Sequence, residues 1–333
     1  MNHRKSTRSA WNFIVAGAAG GLALVASPAS ASEGGSTIYL LGSGGPAAAV
    51  LPPVEGLYVD DTLYYYGGDI SADRSLVVGG NVVLGLDATI VAQFTTALWV
   101  PSTNFLGGTL ALGGTVPLAA PMVKVFGVVS GPAGEFSASR RDSTLTLGDP
   151  LVNASLGWIW DTLHIAASGF VNIPVGHYRE DQLANISFHR WAADASLAAS
   201  LHDPKSGWDF SAKAGVTFNG KNDYTDYDSG NDFHLEAAVE KTFSPKFSAG
   251  VLGYYYNQIS GDSGPGAVLG PNEGEVGALG VTAAYNTILG RSPASFRVRV
   301  LKEFNATRRL EGTSAMVSLS LPLKMNLPPH AAE

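Results

Sequence analysis

Hydrophobic and polar residues alternate with a period of two along most of the chain. The clearest run is Trp208–Asn219. Trp208, Phe210, Ala212, Ala214, Val216 and Phe218 share one parity, and Asp209, Ser211, Lys213, Gly215, Thr217 and Asn219 share the other. Successive side chains of a strand point to opposite faces, so the run predicts a strand with one apolar and one polar face. A polar connection follows at 220–231. Asp232, His234, Glu236 and Glu240 then alternate with Phe233, Leu235, Ala237, Val239 and Phe243. The turn Ser244-Pro245 leads into a third strand at 246–258.

The same rhythm predicts strands at 57–66, 82–100, 107–129, 152–160, 164–174, 190–202, 273–287, 295–303 and 314–323. The β-branched content of 82–100 favours strand, with a short helix in its first half as the alternative. Residues 130–150 read as a hydrophilic connection. Connections alternate between short (Asp161-Thr162, Ser244-Pro245) and long (176–187, 220–231, 259–272). Aromatic residues gather near strand ends: Tyr64-Tyr65-Tyr66, Trp158, Trp160, Trp191, Trp208, Phe243 and Tyr254-Tyr255-Tyr256. Short turns at one end, long loops at the other and aromatic girdles describe an all-β, antiparallel transmembrane β-barrel of the bacterial outer membrane. In lipid such a sheet must close, because an open edge leaves backbone groups unpaired. Reading 107–129 as one strand bent at Pro117 and Pro121 gives twelve strands; a turn at 117–121 together with one missed strand would give fourteen. A turn at 117–121 alone would give an odd number and put the two ends of the barrel on opposite sides. A soluble β-sandwich is the competing fold, and it leaves the aromatic strand ends unexplained.

Composition agrees with a large non-aqueous surface: charged residues are only 15%, with 40 glycines. Arg4, Lys5 and Arg8, the apolar run 11–26 and the small-residue site Ala29-Ser30-Ala31 predict a secretory signal peptide at 1–31. That segment carries three basic residues and no acid, so its removal takes the formal charge from −7 to −10. Such a chain, without a basic patch, is not expected to bind nucleic acid. It has no cysteine, which excludes disulfides and thiolate metal sites. No later run of ~18 apolar residues suggests a membrane helix. The expected layout is a signal peptide at 1–31, a Gly/Ala/Pro-rich lead-in or internal plug at 32–53, the barrel at 54–324 and a disordered tail at 325–333.

On this reading Asp194, Asp209, Lys213, Asp232, His234, Glu236, Glu240, Arg297 and Arg299 face the lumen. They are the candidates for a charged constriction that sets selectivity, or for a salt-bridge network that fills a narrow barrel. Asp223, Asp226, Asp228 and Asp232 offer oxygen ligands for Ca²⁺, but without the spacing of a calcium loop they read as a solvated outer loop. Gly261-Asp262-Ser263-Gly264-Pro265 resembles a serine-protease nucleophile segment, yet no histidine sits in a supporting motif. His164, His177, His189, His202 and His234 are single polar residues. No cofactor, metal or catalytic set is expected.

Several blocks carry a resemblance: Gly207-Trp208-Asp209-Phe210-Ser211-Ala212-Lys213, Asn222-Asp223-Tyr224-Thr225-Asp226-Tyr227 followed by Gly230 and Phe233-His234-Leu235, Gly253-Tyr254-Tyr255-Tyr256-Asn257-Gln258 and Asp262-Ser263-Gly264. In this order they resemble the meta-pathway of phenol degradation family. The resemblance implies a secreted outer-membrane transporter associated with aromatic catabolism and no catalytic residues. The expected partners are outer-membrane lipid, small hydrophobic or aromatic solutes and the barrel-assembly machinery. The expected function is passive uptake of such solutes, with a closed barrel whose outer loops bind a ligand or partner as the alternative. One departure is the last strand, which ends Leu321-Pro322-Leu323-Lys324 rather than on an aromatic residue.

Overall fold

The computed structural model describes residues 33–78, 81–131, 134–179 and 182–326. The predicted signal peptide and the tail from 327 onward lie outside the described residues. Twelve antiparallel strands form the barrel: β1 Gly56–Val78, β2 Asn81–Phe105, β3 Gly108–Gly131, β4, β5 Leu163–Asn172, β6 Ala192–Asp203, β7 Trp208–Asn219, β8 Asp232–Ser244, β9 Phe247–Gln258, β10 Glu275–Leu289, β11 Ser292–Thr307 and β12 Glu311–Met325. Strand β4 runs in three pieces, Gly134–Ser143, Thr146–Leu147 and Leu151–Trp160, all paired with β3. Each strand pairs with its sequence neighbour. The sheet closes where β1 meets β12, paired from Gly56↔Met325 to Asp69↔Glu311 with one register shift between Leu57 and Tyr58, so the barrel has no open edge among the described residues.

The breaks in β4 have a specific cause. Pro117 and Pro121 sit inside β3, and their carbonyls accept the N–H groups of Gly148 and Thr144. A proline's carbonyl and its missing N–H face the same neighbouring strand, so β4 loses a donor opposite each proline. The ladder opens at 144–145 and 148–150 and reforms between them. This corrects the reading of 130–150 as a connection. It also accounts for the even strand number, since 117–121 is strand throughout and 81–105 contains no helix.

The short turns, at 106–107, 161–162, 204–207, 245–246 and 290–291, lie at the same end as Gly56 and Met325. Tight turns need left-handed backbone: Gly107, Gly207 and Gly290 supply it with φ of 76°, 71° and 63°, and Asp161 adopts it at 54°. The opposite end carries the long connections. A membrane-crossing strand needs roughly 9–11 residues, so β1 and β2, with 23 and 25 residues, like β3 with 24, rise well past β5–β9 there. Their upper parts pack Ile70, Leu76, Val83 and Leu86 against Val123 of β3, Leu183 of the β5–β6 loop and Leu310 of the β11–β12 loop. This small core roofs part of the mouth.

Alternation holds strand by strand. In β6, Ala192, Asp194, Ser196, Ala198 and Ser200 are buried, and the residues between them are exposed. Outward valines form cross-strand rows, such as Val239, Val251, Val281 and Val300, and Leu279 is 66% exposed. An apolar outer surface of this extent has lipid as its solvent. Trp99, Trp160, Trp191, Trp208, Phe243 and Phe247 face outward as girdle residues. The tyrosine triplets do not: Tyr66, Tyr254 and Tyr256 are buried inside while Tyr65 and Tyr255 point out, because neighbouring residues of a strand cannot share a face.

Candidate functional site

The polar parity of β6, β7 and β8 places Asp194, Asp209, Asp232, His234, Glu236 and Glu240 inside the barrel, all buried. Lys213, Arg297 and Arg299 line an internal cavity. All nine residues picked from the alternation therefore face the lumen, but they do not form one ring. Asp194 lies 2.9 Å from His234 Nε2 and accepts Ser196 and Thr217 at 2.5 and 2.8 Å. Asp209 accepts Ser211 at 2.6 Å and contacts His202 Nδ1 at 3.0 Å. Asp232 accepts Tyr256 at 2.6 Å and Asn219 at 2.9 Å. Arg297 makes a two-nitrogen contact with Glu240, which also accepts Ser248 at 2.9 Å. Donors on the same and on neighbouring strands hold each carboxylate, which suits a buried charge.

The remaining acceptor capacity goes to residues 33–53, which run inside the barrel. Glu236 Oε1 accepts the N–H of Gly42 at 2.7 Å, and its Oε2 accepts that of Gly44. Asp209 accepts Ala47 N–H at 3.0 Å, Ser200 accepts Ala49 N–H at 3.1 Å and Asp232 accepts Thr37 Oγ1 at 3.4 Å. Tyr39 stacks on His234 with ring centroids 3.5 Å apart, and Lys213 Nζ lies 5.0 Å from the Tyr39 ring. Burial, followed by the Glu236 carboxylate, pushes the Tyr39 hydroxyl well above its ordinary range. Glycine is favoured at Gly42 by its backbone, and at Gly44 a side chain would displace the Glu236 carboxylate. Gly42 has φ of 84°, and a Cβ on Gly44 would sit 2.4 Å from Glu236 Oε2. The segment shows no periodicity, so the sequence did not indicate which carboxylates receive it.

Two cavities flank this segment. The inner one, of about 480 Å³, is lined in near-equal parts by polar and apolar surface and holds Asp60, Thr62, Asn153, Ser168, Lys213, Arg297 and Arg299. The outer one, of about 240 Å³, is mainly apolar and is lined by Tyr64, Leu86, Ile90, Pro117, Val123 and Ile186 among others. Ile38, Tyr39, Leu40, Phe94 and Leu151 line both, so they form the partition between a hydrophobic vestibule and the inner chamber.

Buried acids organise the rim. Asp149 accepts Asn172, Gly176, Ser187, Phe188 and His189, pinning the β5–β6 loop. Asp262, in the protease-like segment, accepts Tyr227, Gly230 and Gln258 and so ties the β9–β10 loop to the β7–β8 loop. Burial and the Asp262 carboxylate raise the Tyr227 hydroxyl far above its ordinary range. The acidic loop does not converge: Asp226 pairs with Lys221, Asp232 turns into the bore, and no group of three or more metal-ligating side chains occurs among the described residues. Tyr178, His189 and Tyr224 stack on one another with centroids 4.2–5.7 Å apart, joining two outer loops. Sequence reading missed Asp149 because its partners are mostly backbone groups of a distant loop.

A closed twelve-strand barrel with a lipid-facing apolar surface, a polar bore and long loops at one end is a bacterial outer-membrane β-barrel. Residues 72–319 match the family described as "Putative MetA-pathway of phenol degradation", and the chain belongs to that family. Among solved structures it is similar to an outer membrane channel from Pseudomonas putida F1, at 15% identity and a TM-score of 0.62, over 83% of this chain and 98% of that one. It also matches the monoaromatic hydrocarbon channel CymD at 8% identity and a TM-score of 0.41, over 83% and 90% of the two chains. At these identities the likeness is one of fold. No curated protein matches the chain.

Proposed function

We propose that this protein is a passive outer-membrane channel for small hydrophobic or aromatic compounds. The observation that carries the reading is the mainly apolar outer cavity at the long-loop end, set above the partition of Ile38, Tyr39, Leu40, Phe94 and Leu151. An apolar solute gains by leaving water for such a cavity. Membership of a phenol-degradation family supports the same solute class.

In this reading residues 33–53 are the plug that closes the bore, and passage requires them to yield. They are held to the wall by hydrogen bonds and by the apolar packing of Tyr39, Leu41 and Ala49 rather than by pairing into the sheet, so their release leaves the barrel closed on itself. Selectivity for what crosses the inner chamber falls to Lys213, Arg297 and Arg299, opposite Asp194 and Asp60. No chemical step is involved, and insertion goes through the barrel-assembly machinery. The test is flux through purified protein in bilayers. Absence of permeability to every small solute, with and without residues 33–53, would reject the channel.

A further inference from the structure

The outer cavity is lined by two arginines with N–H groups left unsatisfied, beside the carboxylates of Glu33, Asp149 and Glu303. Arg190, which follows the β5–β6 loop, is 1% exposed, and Arg309, in the β11–β12 loop, is 7% exposed. Both line the cavity. Arg190 Nη2 and Arg309 Nε have no hydrogen-bond partner, and neither residue forms an ion pair among the described residues. Their contacts are weak ones: Arg190 Nε reaches Asn219 at 3.3 Å and its guanidinium lies over Phe188 at 5.1 Å, while that of Arg309 lies over Tyr256 at 4.2 Å.

The carboxylates nearby are already occupied by neutral donors. Glu33 accepts Tyr178 at 3.2 Å and Asn222 at 2.8 Å. Glu303 accepts Tyr66, Tyr254 and Gly312 at 2.7–2.8 Å. Asp149 is saturated by the loop it pins, and Asp232, which both arginines influence electrostatically, is taken by Tyr256, Asn219 and Thr37. A buried guanidinium is costly unless it is paired and hydrogen-bonded. Here two of them border a mainly apolar space with N–H groups left without an acceptor, although the Glu303 carboxylate acts on Arg309 through space.

We infer that the outer cavity is a site for an apolar monoanion, an aromatic carboxylate being the fitting class, with its ring among Tyr64, Ile90 and Phe94 and its carboxylate toward Arg190 and Arg309. The inference rests on the proposed uptake of aromatic solutes and narrows it. A guanidinium–carboxylate contact is charge-assisted and directional, so the site prefers an acid over a neutral compound of the same shape.

The experiment measures binding of benzoate and of benzyl alcohol to the purified, detergent-solubilised protein by isothermal titration at pH 7. The expected result is that benzoate binds at least ~tenfold more tightly, and that Arg190→Gln together with Arg309→Gln removes this preference while benzyl alcohol binding persists. Equal affinities in the unmodified protein overturn the inference and leave the uptake reading standing. Failure of both compounds to bind overturns both. If the double variant does not assemble, judged by heat-dependent gel mobility, Arg309→Lys replaces it, and a full loss of the preference there still supports a guanidinium-specific contact whereas no change counts against it.

Discussion

The carboxylate of Glu236 accepts the backbone N–H of Gly42 at 2.7 Å, although 194 residues separate them. With the adjacent bond from Gly44, this one side chain on β8 ties the N-terminal segment to the barrel wall. A hydrogen bond to a charged group contributes about 1.5–3 kcal/mol, so Glu236→Gln shifts the segment toward release by roughly tenfold or more. Gly44→Val acts in the same direction, because the new side chain takes the place of the Glu236 carboxylate that receives Gly42 and Gly44. Single-channel recordings should show larger or more frequent openings in both variants than in the parent. Unchanged recordings would mean that these bonds do not hold the bore shut.

His234 is fully buried, packed between Asp194 and Tyr39. His234→Ala leaves Asp194 without its ring partner and removes the surface on which Tyr39 stacks. Breaking a buried pair by deleting one member costs about 3–5 kcal/mol. The urea midpoint for unfolding from lipid vesicles is expected to fall accordingly, and a midpoint equal to that of the parent would contradict the placement.

Val281 is 59% exposed and belongs to an outward row with Val239, Val251 and Val300. If that row meets the lipid interior, Val281→Arg costs about 2–4 kcal/mol. The neighbouring Thr282 points inward and is buried, so Thr282→Ser should leave stability near that of the parent. The contrast is read from folding yields into vesicles, and equal effects would argue against a lipid face at this height.

Much of this was legible in the chain. The alternation in β6–β9 separates a buried polar face from an exposed apolar one. Parity favoured an even strand number and left twelve and fourteen open, and the structure has twelve. Two kinds of feature escaped. The β4 pieces at 134–147 were hidden because the proline gaps in β3 interrupt their pairing and the segment is hydrophilic. The N-terminal segment gave no periodic signal, because it bonds through backbone N–H groups and not through a pattern of side chains. The tyrosine triplets misled for a simple reason: aromatic density marks a strand end but does not say which face each ring takes.

Asp149 holds the β5–β6 loop through side-chain and backbone donors on Asn172, Gly176, Ser187, Phe188 and His189. Asp149→Ala removes all of these contacts at once while leaving the strand ladders intact. Limited proteolysis should then cut within 173–191 faster than in the parent, with the barrel itself still resistant. A loop that stays protected would show that the stacked rings of Tyr178, His189 and Tyr224 suffice to hold it.

The central claim is passage of small aromatic solutes through the barrel. Its most direct measurement is the initial rate at which labelled toluene enters cells whose lipopolysaccharide outer leaflet excludes apolar compounds, with and without this protein in the outer membrane. The account predicts a several-fold faster rate with the protein, and a further rise with Glu236→Gln. Identical rates at equal, verified amounts of folded barrel would contradict it.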